Sequence, residues 1–153
     1  MNLIKTFLLF ILFSFLSLHA LADEIVTRIY DGDTIRVNEN KIRLIGINAP
    51  EKEWKEKGIT KECYSNEARE YLAKQLMGQK VKLIYDPIVG RTDKYGRKLA
   101  YVYLGKRLLN AEMITQGLAR FYPYFHFEKW NYFEKLEQEA QKHNRGLWKT
   151  CKP

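Results

Sequence analysis

The chain has 153 residues and a formal net charge of +8, from 26 Lys and Arg against 18 Asp and Glu. This length accommodates one domain with a hydrophobic core. The positive charge favours a polyanionic partner, although a soluble basic surface or attraction to anionic membranes would explain it equally well. No Gly-rich phosphate loop or dinucleotide fingerprint is present, and no serine or histidine stands in a nucleophile motif, which argues against acyl-transfer triads.

The first residues have the pattern of a secretory signal peptide. Lys5 precedes an almost wholly apolar run at 6–18, and Ala20-Leu21-Ala22 is an A-x-A cleavage pattern. We therefore expect a signal peptide at 1–22 and one domain at 23–153 that is secreted or periplasmic, without stable membrane association after cleavage. Loss of Lys5 alone lowers the net charge from +8 to +7. An uncleaved N-terminal anchor is the alternative.

Five β-strands are predicted at 24–30, 34–37, 41–47, 80–85 and 98–104. The first two strands meet at Asp31-Gly32, a strong hairpin signal. The near-continuous apolar run of the third strand indicates burial on both faces, and Pro50 follows shortly after its end. The segment from Glu51 to about residue 64 is charged and irregular, so it is predicted as a loop.

Hard oxygen donors lie at the ends of these strands. Asp33 follows the hairpin turn, and the Asn48 side chain and Ala49 carbonyl come where the third strand breaks. A carboxylate, an amide oxygen and a main-chain carbonyl suit Ca²⁺ or Mg²⁺. The alternative is purely structural, because Asp-Gly is common in hairpins.

One base and two arginines complete a candidate catalytic set. A carboxylate at Glu51 can accept a proton from water, although a solvated loop acid is the alternative. Arg43 lies in an otherwise apolar strand, and Arg97 precedes the fifth strand. Two arginines on one phosphate would stabilise the charge of a pentacoordinate phosphorus. Salt bridges, to Asp33 or Glu51 among others, are the alternative.

Cys63 and Cys151 are the two cysteines of the chain. In an oxidising compartment they predict one disulfide, which would tie the C-terminus to the loop before the first helix. Two free buried thiols are the alternative, and without a histidine cluster the pair makes a poor zinc site.

Three helices follow from the apolar periodicity. The first carries Ala68, Tyr71, Leu72 and Leu76 on one face. The second is predicted to extend to Leu118, and the last begins after residue 128 and ends at Gly146. The segment 121–127 before the last helix is rich in aromatic residues, most of which we expect in the core, with one or two free to stack on bases. These elements predict an α+β, mainly β fold: a small, partly open, OB-like barrel.

Three ordered motifs, DGDT at 31–34, RLIGINAPE at 43–51 and DKYGRKLAY at 93–101, resemble the thermonuclease (staphylococcal nuclease-like) family. The likeness extends through 110–112 and 116–119 to 146–148. It implies an OB-fold, for which we expect a five-stranded barrel with three helices, and a Ca²⁺-dependent endonuclease. Such an enzyme hydrolyses DNA and RNA with little sequence preference, to 3′-phosphate and 5′-hydroxyl ends. We expect single-stranded nucleic acid to be preferred and the protein to be a monomer. A non-catalytic OB-fold protein that binds single-stranded nucleic acid is the alternative.

The resemblance also implies roles by position. The metal ligands would be Asp33, Asn48 and the Ala49 carbonyl, Glu51 would be the general base, and Arg43 and Arg97 would bind the scissile phosphate. The nucleic-acid contacts would be made by Lys94 and Tyr95, with Tyr122 and Tyr124 as candidates for base stacking. Asn48 replaces the aspartate of the best-known members, which removes one negative charge from the ligand set and should lower Ca²⁺ affinity.

Overall fold

The computed structural model of the protein describes residues 24–53 and 55–151, so the predicted signal peptide at 1–22 lies outside the described residues. In the described ranges no helix has the length and apolar character needed to cross a membrane. The strands are β1 (Val26–Ile29), β2 (Thr34–Val37), β3 (Asn40–Leu44), β4 (Ile47–Asn48), β5 (Lys82–Ile84), β6 (Lys98–Leu104), β7 (Arg107–Leu108) and β8 (Arg120–Phe121). The helices are α1 (Ser65–Leu76), α2 (Leu109–Thr115), α3 (Trp130–Lys142) and the single-turn α4 (Leu147–Thr150), with a 3₁₀ turn at Lys55–Lys57.

The main sheet has the strand order β1-β2-β3-β6-β5, and β7 pairs with β6. Neighbouring strands are antiparallel except β3 and β6, which are parallel. The two edges of the sheet meet where Ile25 bridges Lys80 and the Val26 amide donates to the Gln79 carbonyl at 3.0 Å. Among the described residues, no continuous ladder joins β1 to β5. The five longer strands match the five predicted, and the helices of seven or more residues are α1, α2 and α3. The predicted OB-fold barrel with three helices is confirmed.

The third strand is shorter than predicted, because β3 ends at Leu44. Gly46 has a φ of +76°, and a Cβ atom there would lie 2.5 Å from the ring of Phe127. The chain therefore turns at Ile45 and Gly46, and its continuation is the separate strand β4, which pairs with β8 instead of the main sheet. A glycine in the left-handed region and a close aromatic neighbour end the strand where the apolar pattern continues.

Burial of β3 on both faces was also a wrong prediction. Ile42 and Leu44 are buried, whereas the alternate residues Lys41 and Arg43 are partly exposed. Period-two alternation places these two cations together on the outer face of the sheet.

The helices differ from prediction at their ends. In α1 the predicted inward residues Ala68, Leu72 and Leu76 are buried, and Tyr71 is partly buried against the core. The helix α2 ends at Thr115, so Leu118 lies beyond it, although it is buried. The helix α3 ends at Lys142 and not at Gly146, because the left-handed backbone of Asn144, with φ of +50°, cannot continue a helix.

Two tertiary links hold the turn after β3 and the end of the chain. The buried Asn110 side chain donates to the Ile45 carbonyl at 2.9 Å and accepts from the Val102 amide at 2.9 Å. The predicted disulfide joins Cys63 to Cys151 with a Cα separation of 5.8 Å and a sequence separation of 88. It ties the segment before α1 to the end of α4.

Candidate active site

The turn between β1 and β2 packs tightly against two other elements. The Asp33 amide donates to Asp31 Oδ1 at 3.0 Å, which closes the turn. A Cβ atom on Gly32 would lie 2.6 Å from Ala49 Cβ and 2.7 Å from Ala68 Cβ. Only glycine permits this approach, so the turn is held between the end of β4 and α1. This packing sets Asp33 beside Ala49.

Asp33 is the centre of the predicted metal ligands and is only 4% exposed. Its Oδ1 accepts from Thr34 Oγ1 at 2.9 Å, and its Oδ2 accepts from the Ala49 amide at 2.9 Å. Arg43 Nη2 lies 3.1 Å from Asp33 Oδ2 and 3.3 Å from Asn48 Oδ1. The structure therefore brings together Asp33, Asn48 and the Ala49 amide, with the guanidinium of Arg43 bridging the Asp33 and Asn48 oxygens.

Asp31 is a member of this cluster that the sequence prediction left out. Burial and the nearby charges of Asp33 and Glu51 raise its pKa to about 7. Burial disfavours the charged form of a carboxyl, and neighbouring carboxylates raise its pKa further. The sequence places Asp31 and Asp33 on either side of a glycine, which could have indicated that both carboxylates belong to the site. The hairpin interpretation explained Asp31 as a turn residue and gave it no chemical role.

The chemistry of the cluster fits a divalent cation. Among residues 24–53 and 55–151, no group of three or more His, Cys, Asp and Glu is arranged to hold a metal ion. The donors here are mixed: the carboxylates of Asp31 and Asp33, the amide oxygen of Asn48 and the carbonyl of Ala49. All are hard oxygen donors of the kind Ca²⁺ prefers. The raised pKa of Asp31 is consistent with a place for added positive charge.

Glu51 lies on the exposed segment that follows β4. Its backbone is held by Glu62, because the Glu51 amide donates to Glu62 Oε2 and the Glu62 amide donates to the Glu51 carbonyl, both at 2.9 Å. Partial burial and the charge of Asp33 raise the pKa of the Glu51 carboxyl, although Arg43 and Arg97 act in the opposite direction. A carboxyl with a raised pKa is a stronger base than an ordinary surface acid.

The turn at 93–97 is organised by one carboxylate. Asp93 accepts from the amides of Tyr95 at 2.9 Å and Arg97 at 3.0 Å, and from Arg97 Nε at 2.7 Å. Burial opposes ionisation of Asp93, but these hydrogen bonds outweigh it and lower its pKa. Lys94 Nζ and Arg97 Cζ lie 5.1 Å and 5.5 Å from the ring centroid of Tyr95, which is 72% exposed. Asp93 was missed as a positioning residue, although its place at the start of a glycine turn is a recognisable signal.

Arg43 lies in β3 and Arg97 in the turn before β6, but both line the same groove, which has a volume of about 400 Å³. Lys94 and Tyr95 also line it, together with residues 44–47 and Leu99. Each arginine also has a carboxylate partner in the protein, Asp33 for the first and Asp93 for the second. Each arginine therefore forms a salt bridge, as the alternative interpretation expected, and the two also lie in one groove, as the predicted approach to one phosphate requires.

The aromatic segment contributes one predicted tyrosine to the groove. Tyr122 is among the lining residues, with its ring centroid 6.0 Å from Arg43 Cζ, and so is Phe125, which was not singled out in the sequence. Tyr124 is not among them; it is 79% exposed and its ring centroid lies 4.9 Å from that of Tyr122. The rings of Phe121 and Phe127 are buried, so the expectation that rings of this segment pack in the core holds for these two.

Comparison with known proteins identifies the family of the chain. The profile of the family described as Staphylococcal nuclease homologue matches residues 41–150. The chain is 37% identical over 130 residues to the thermonuclease of Staphylococcus hyicus, covering 80% of this chain and 73% of the relative. It is 37% identical over 131 residues to the thermonuclease of Staphylococcus intermedius, covering 81% and 74%. It is 31% identical over 133 residues to an uncharacterized endonuclease of Escherichia coli O157:H7, covering 84% and 78%. With its OB-fold barrel, its acidic cluster and its arginine-lined groove, the chain belongs to the staphylococcal nuclease homologue family.

Proposed function

We propose that the protein is an exported, Ca²⁺-dependent endonuclease that hydrolyses phosphodiester bonds of DNA and RNA to 3′-phosphate and 5′-hydroxyl ends. The observation that carries the proposal is the single groove lined by Arg43 and Arg97, with the acidic cluster and Glu51 beside it. Relatives named thermonuclease and endonuclease support the same chemistry. The disulfide between Cys63 and Cys151 is consistent with export to an oxidising compartment.

The acidic cluster is proposed to hold the cation through Asp33, Asn48 and the Ala49 carbonyl, with Asp31 as a fourth donor. When bound, Ca²⁺ would supply positive charge against a phosphate oxygen. The residues themselves keep the site ready for it, because Thr34 and the Ala49 amide hold the Asp33 carboxylate in one orientation.

Glu51 is proposed as the general base, and the arginines as the groups that stabilise the transition state. Glu51 removes a proton from water as the water oxygen bonds to phosphorus and the bond to the 5′ oxygen breaks. The leaving 5′ oxygen takes up a proton and becomes the hydroxyl. Arg43 and Arg97 stabilise the negative charge that builds on the phosphate oxygens.

The open groove and its exposed rings favour single-stranded nucleic acid. Tyr95, Tyr122 and Tyr124 present faces on which bases of any identity can stack, and Lys94 provides a further phosphate contact. Recognition by charge and stacking carries little sequence information, so little sequence preference is expected. The proposed active form is a monomer, since all the residues given a role belong to one chain.

The test is cleavage of denatured DNA and of RNA by the purified protein with Ca²⁺, with Mg²⁺ and with a chelator. Glu51→Gln should lower kcat about 10²- to 10⁴-fold. Glu53→Gln is the matched control, because it removes the same charge from the same exposed segment and should cleave like the wild type. The products should resist 3′-end extension until a phosphatase has removed the 3′-phosphate.

Two results would contradict the proposal at different points. Binding of oligonucleotides without cleavage in any metal would favour the non-catalytic binding protein. Cleavage by Glu51→Gln at the wild-type rate would leave the nuclease assignment in place and remove Glu51 as the base.

A further inference from the structure

Three cations of the main sheet surround one tyrosine on its outer face. Arg28 Cζ lies 4.8 Å and Lys41 Nζ 4.4 Å from the ring centroid of Tyr30. Arg36 Nε donates a hydrogen bond to the Tyr30 hydroxyl at 3.1 Å. We call Arg28, Arg36 and Lys41 with this ring the basic face.

The strand register makes the three cations direct neighbours. Arg28 pairs with Arg36 across β1 and β2, and Arg36 pairs with Lys41 across β2 and β3. Like charges directly opposite each other destabilise a sheet. Within the part of the chain that the structure describes, the ion pair formed by these three cations joins Arg36 Nη1 to Glu39 Oε2 at 3.9 Å. The Glu39 side chain is 95% exposed, so the pair contributes little to stability. The basic face therefore carries positive charge that the fold does not neutralise.

The basic face adjoins the groove along β3. Lys41 and Arg43 are two residues apart on the same face of this strand, a separation of about 7 Å. Leu99, which lines the groove, is the register partner of Arg43 on β6. A nucleic-acid backbone that binds in the groove at Arg43 therefore has Lys41 and the other cations of the basic face directly beside it.

We propose that the basic face is an extended binding surface for the phosphodiester backbone of a nucleic-acid chain that also occupies the groove. The proposal rests on the proposed function for its substrate class and assigns the three cations a role in binding only. Charge complementarity selects the occupant, since a row of uncompensated cations continuous with a phosphate groove matches a polyanion. Tyr30 holds the three side chains in place beforehand, which lowers the ordering cost of binding.

The test compares two triple variants with the same change in charge. The first is Arg28→Gln, Arg36→Gln and Lys41→Gln. The control is Lys106→Gln, Lys135→Gln and Lys142→Gln, exposed lysines of the β6–β7 turn and α3. Affinity for single-stranded DNA of about 4 and about 16 nucleotides is measured by fluorescence anisotropy in chelator over a range of salt concentrations.

The basic-face variant should lose up to about 100-fold in affinity for the longer oligonucleotide at 0.1 M salt, and its salt slope should fall by about 2. The loss for the shorter oligonucleotide and the losses of the control should be much smaller. If circular dichroism shows that the triple variant folds poorly, Lys41→Gln alone is used instead. This single change should lower the salt slope by about 0.7.

Equal losses in the two triple variants, or a loss independent of oligonucleotide length, would overturn the proposal. So would loss of binding to phosphatidylserine-containing vesicles with unchanged oligonucleotide affinity, since that result would identify a membrane surface as the occupant. Binding is measured without cleavage, so the two proposals can fail separately. If the protein cleaves no nucleic acid but the basic-face variant still shows a length-dependent loss of affinity, the binding surface stands and the nuclease proposal fails.

Discussion

The two ends of the candidate site are built in opposite ways. The first, which we call the metal end after its proposed role, comprises Asp31, Asp33, Asn48 and Ala49 and is held by contacts between distant parts of the chain. Asp33 Oδ2 and the Ala49 amide that donates to it are 16 residues apart. The second, which we call the phosphate turn after its proposed role, comprises residues 93–97 and is held by hydrogen bonds that span no more than four residues, and Tyr95 in it is exposed.

This difference decides how far the effect of a mutation extends through the structure. A change at the metal end disturbs the packing of β1, β4 and α1 together, because Gly32 fits against both Ala49 and Ala68. A change in the phosphate turn stays local, since the turn makes its own structure around Asp93. Stability and activity should therefore respond together at the metal end and separately at the phosphate turn.

The largest expected effect comes from removing the disulfide. Glu62, the neighbour of Cys63, holds the Glu51 backbone and so links the disulfide to the segment that follows the metal end. Replacing both cysteines by serine should lower the free energy of unfolding by about 4 kcal/mol, because an 88-residue loop is no longer closed in the unfolded chain. Denaturant unfolding measures this change. Hydrogen exchange should accelerate at the Glu51 and Glu62 amides more than at the Tyr95 and Arg97 amides. Equal acceleration at both places would remove the link to the metal end.

The two arginines should have similar kinetic effects and different structural ones. Arg43→Gln and Arg97→Gln should each lower kcat about 10²- to 10³-fold, since each removes a group proposed to stabilise the transition state. Only Arg43→Gln should also cost about 2 kcal/mol of stability, because it leaves the buried Asp33 carboxylate without its cation. Arg97→Gln should cost less than about 1 kcal/mol, since Asp93 keeps its backbone donors. Steady-state kinetics and urea unfolding separate the cases, and equal stability losses would contradict the comparison.

Two glycines give a smaller, matched pair. Gly32→Ala should cost about 1–3 kcal/mol and reduce activity, because its Cβ atom would overlap those of Ala49 and Ala68. Gly96→Ala should cost about 1 kcal/mol, since its φ of +76° is unfavourable for alanine but no atom lies within 4 Å of the added Cβ. Thermal unfolding is the measurement. A Gly32→Ala protein as stable as Gly96→Ala would show that the turn has room to move.

The smallest expected effect is at the position where the ligand set departs from the family pattern. Asn48→Asp should tighten Ca²⁺ binding about tenfold by adding one negative charge to the donors. Isothermal titration calorimetry of the nucleic-acid-free protein measures this directly. Weaker binding would show that the Asn48 side chain does not coordinate the ion, and Asn66→Asp on the exposed start of α1 controls for charge alone.

Prediction from the sequence succeeded where the determinants are local. The hairpin of β1 and β2 follows from β-branched runs about Asp31-Gly32, and α1 follows from apolar spacing; both are in the structure. The residues given roles at the two ends of the site were also identified from ordered motifs, and their roles remain proposals. The end of β3 was missed because it depends on the left-handed Gly46 and the ring of Phe127, more than 80 residues away. The positions of Asp31 and Asp93 as supporting acids were missed because a turn residue and a site residue look alike in sequence.

The sequence by itself determined the fold class, the family motifs and the residues with suitable chemistry, because these depend on residue type and short-range spacing. It also determined the cysteine pairing, because the chain has only two cysteines. Only the tertiary structure decided which of the site residues meet. It placed Arg43 against Asp33 and Asn48, brought Arg97 to the same groove from the turn before β6, and left Tyr124 out of the groove lining. It also placed Arg28, Arg36 and Lys41 around Tyr30. Strand register and close packing set these distances, and both depend on contacts between residues far apart in the chain.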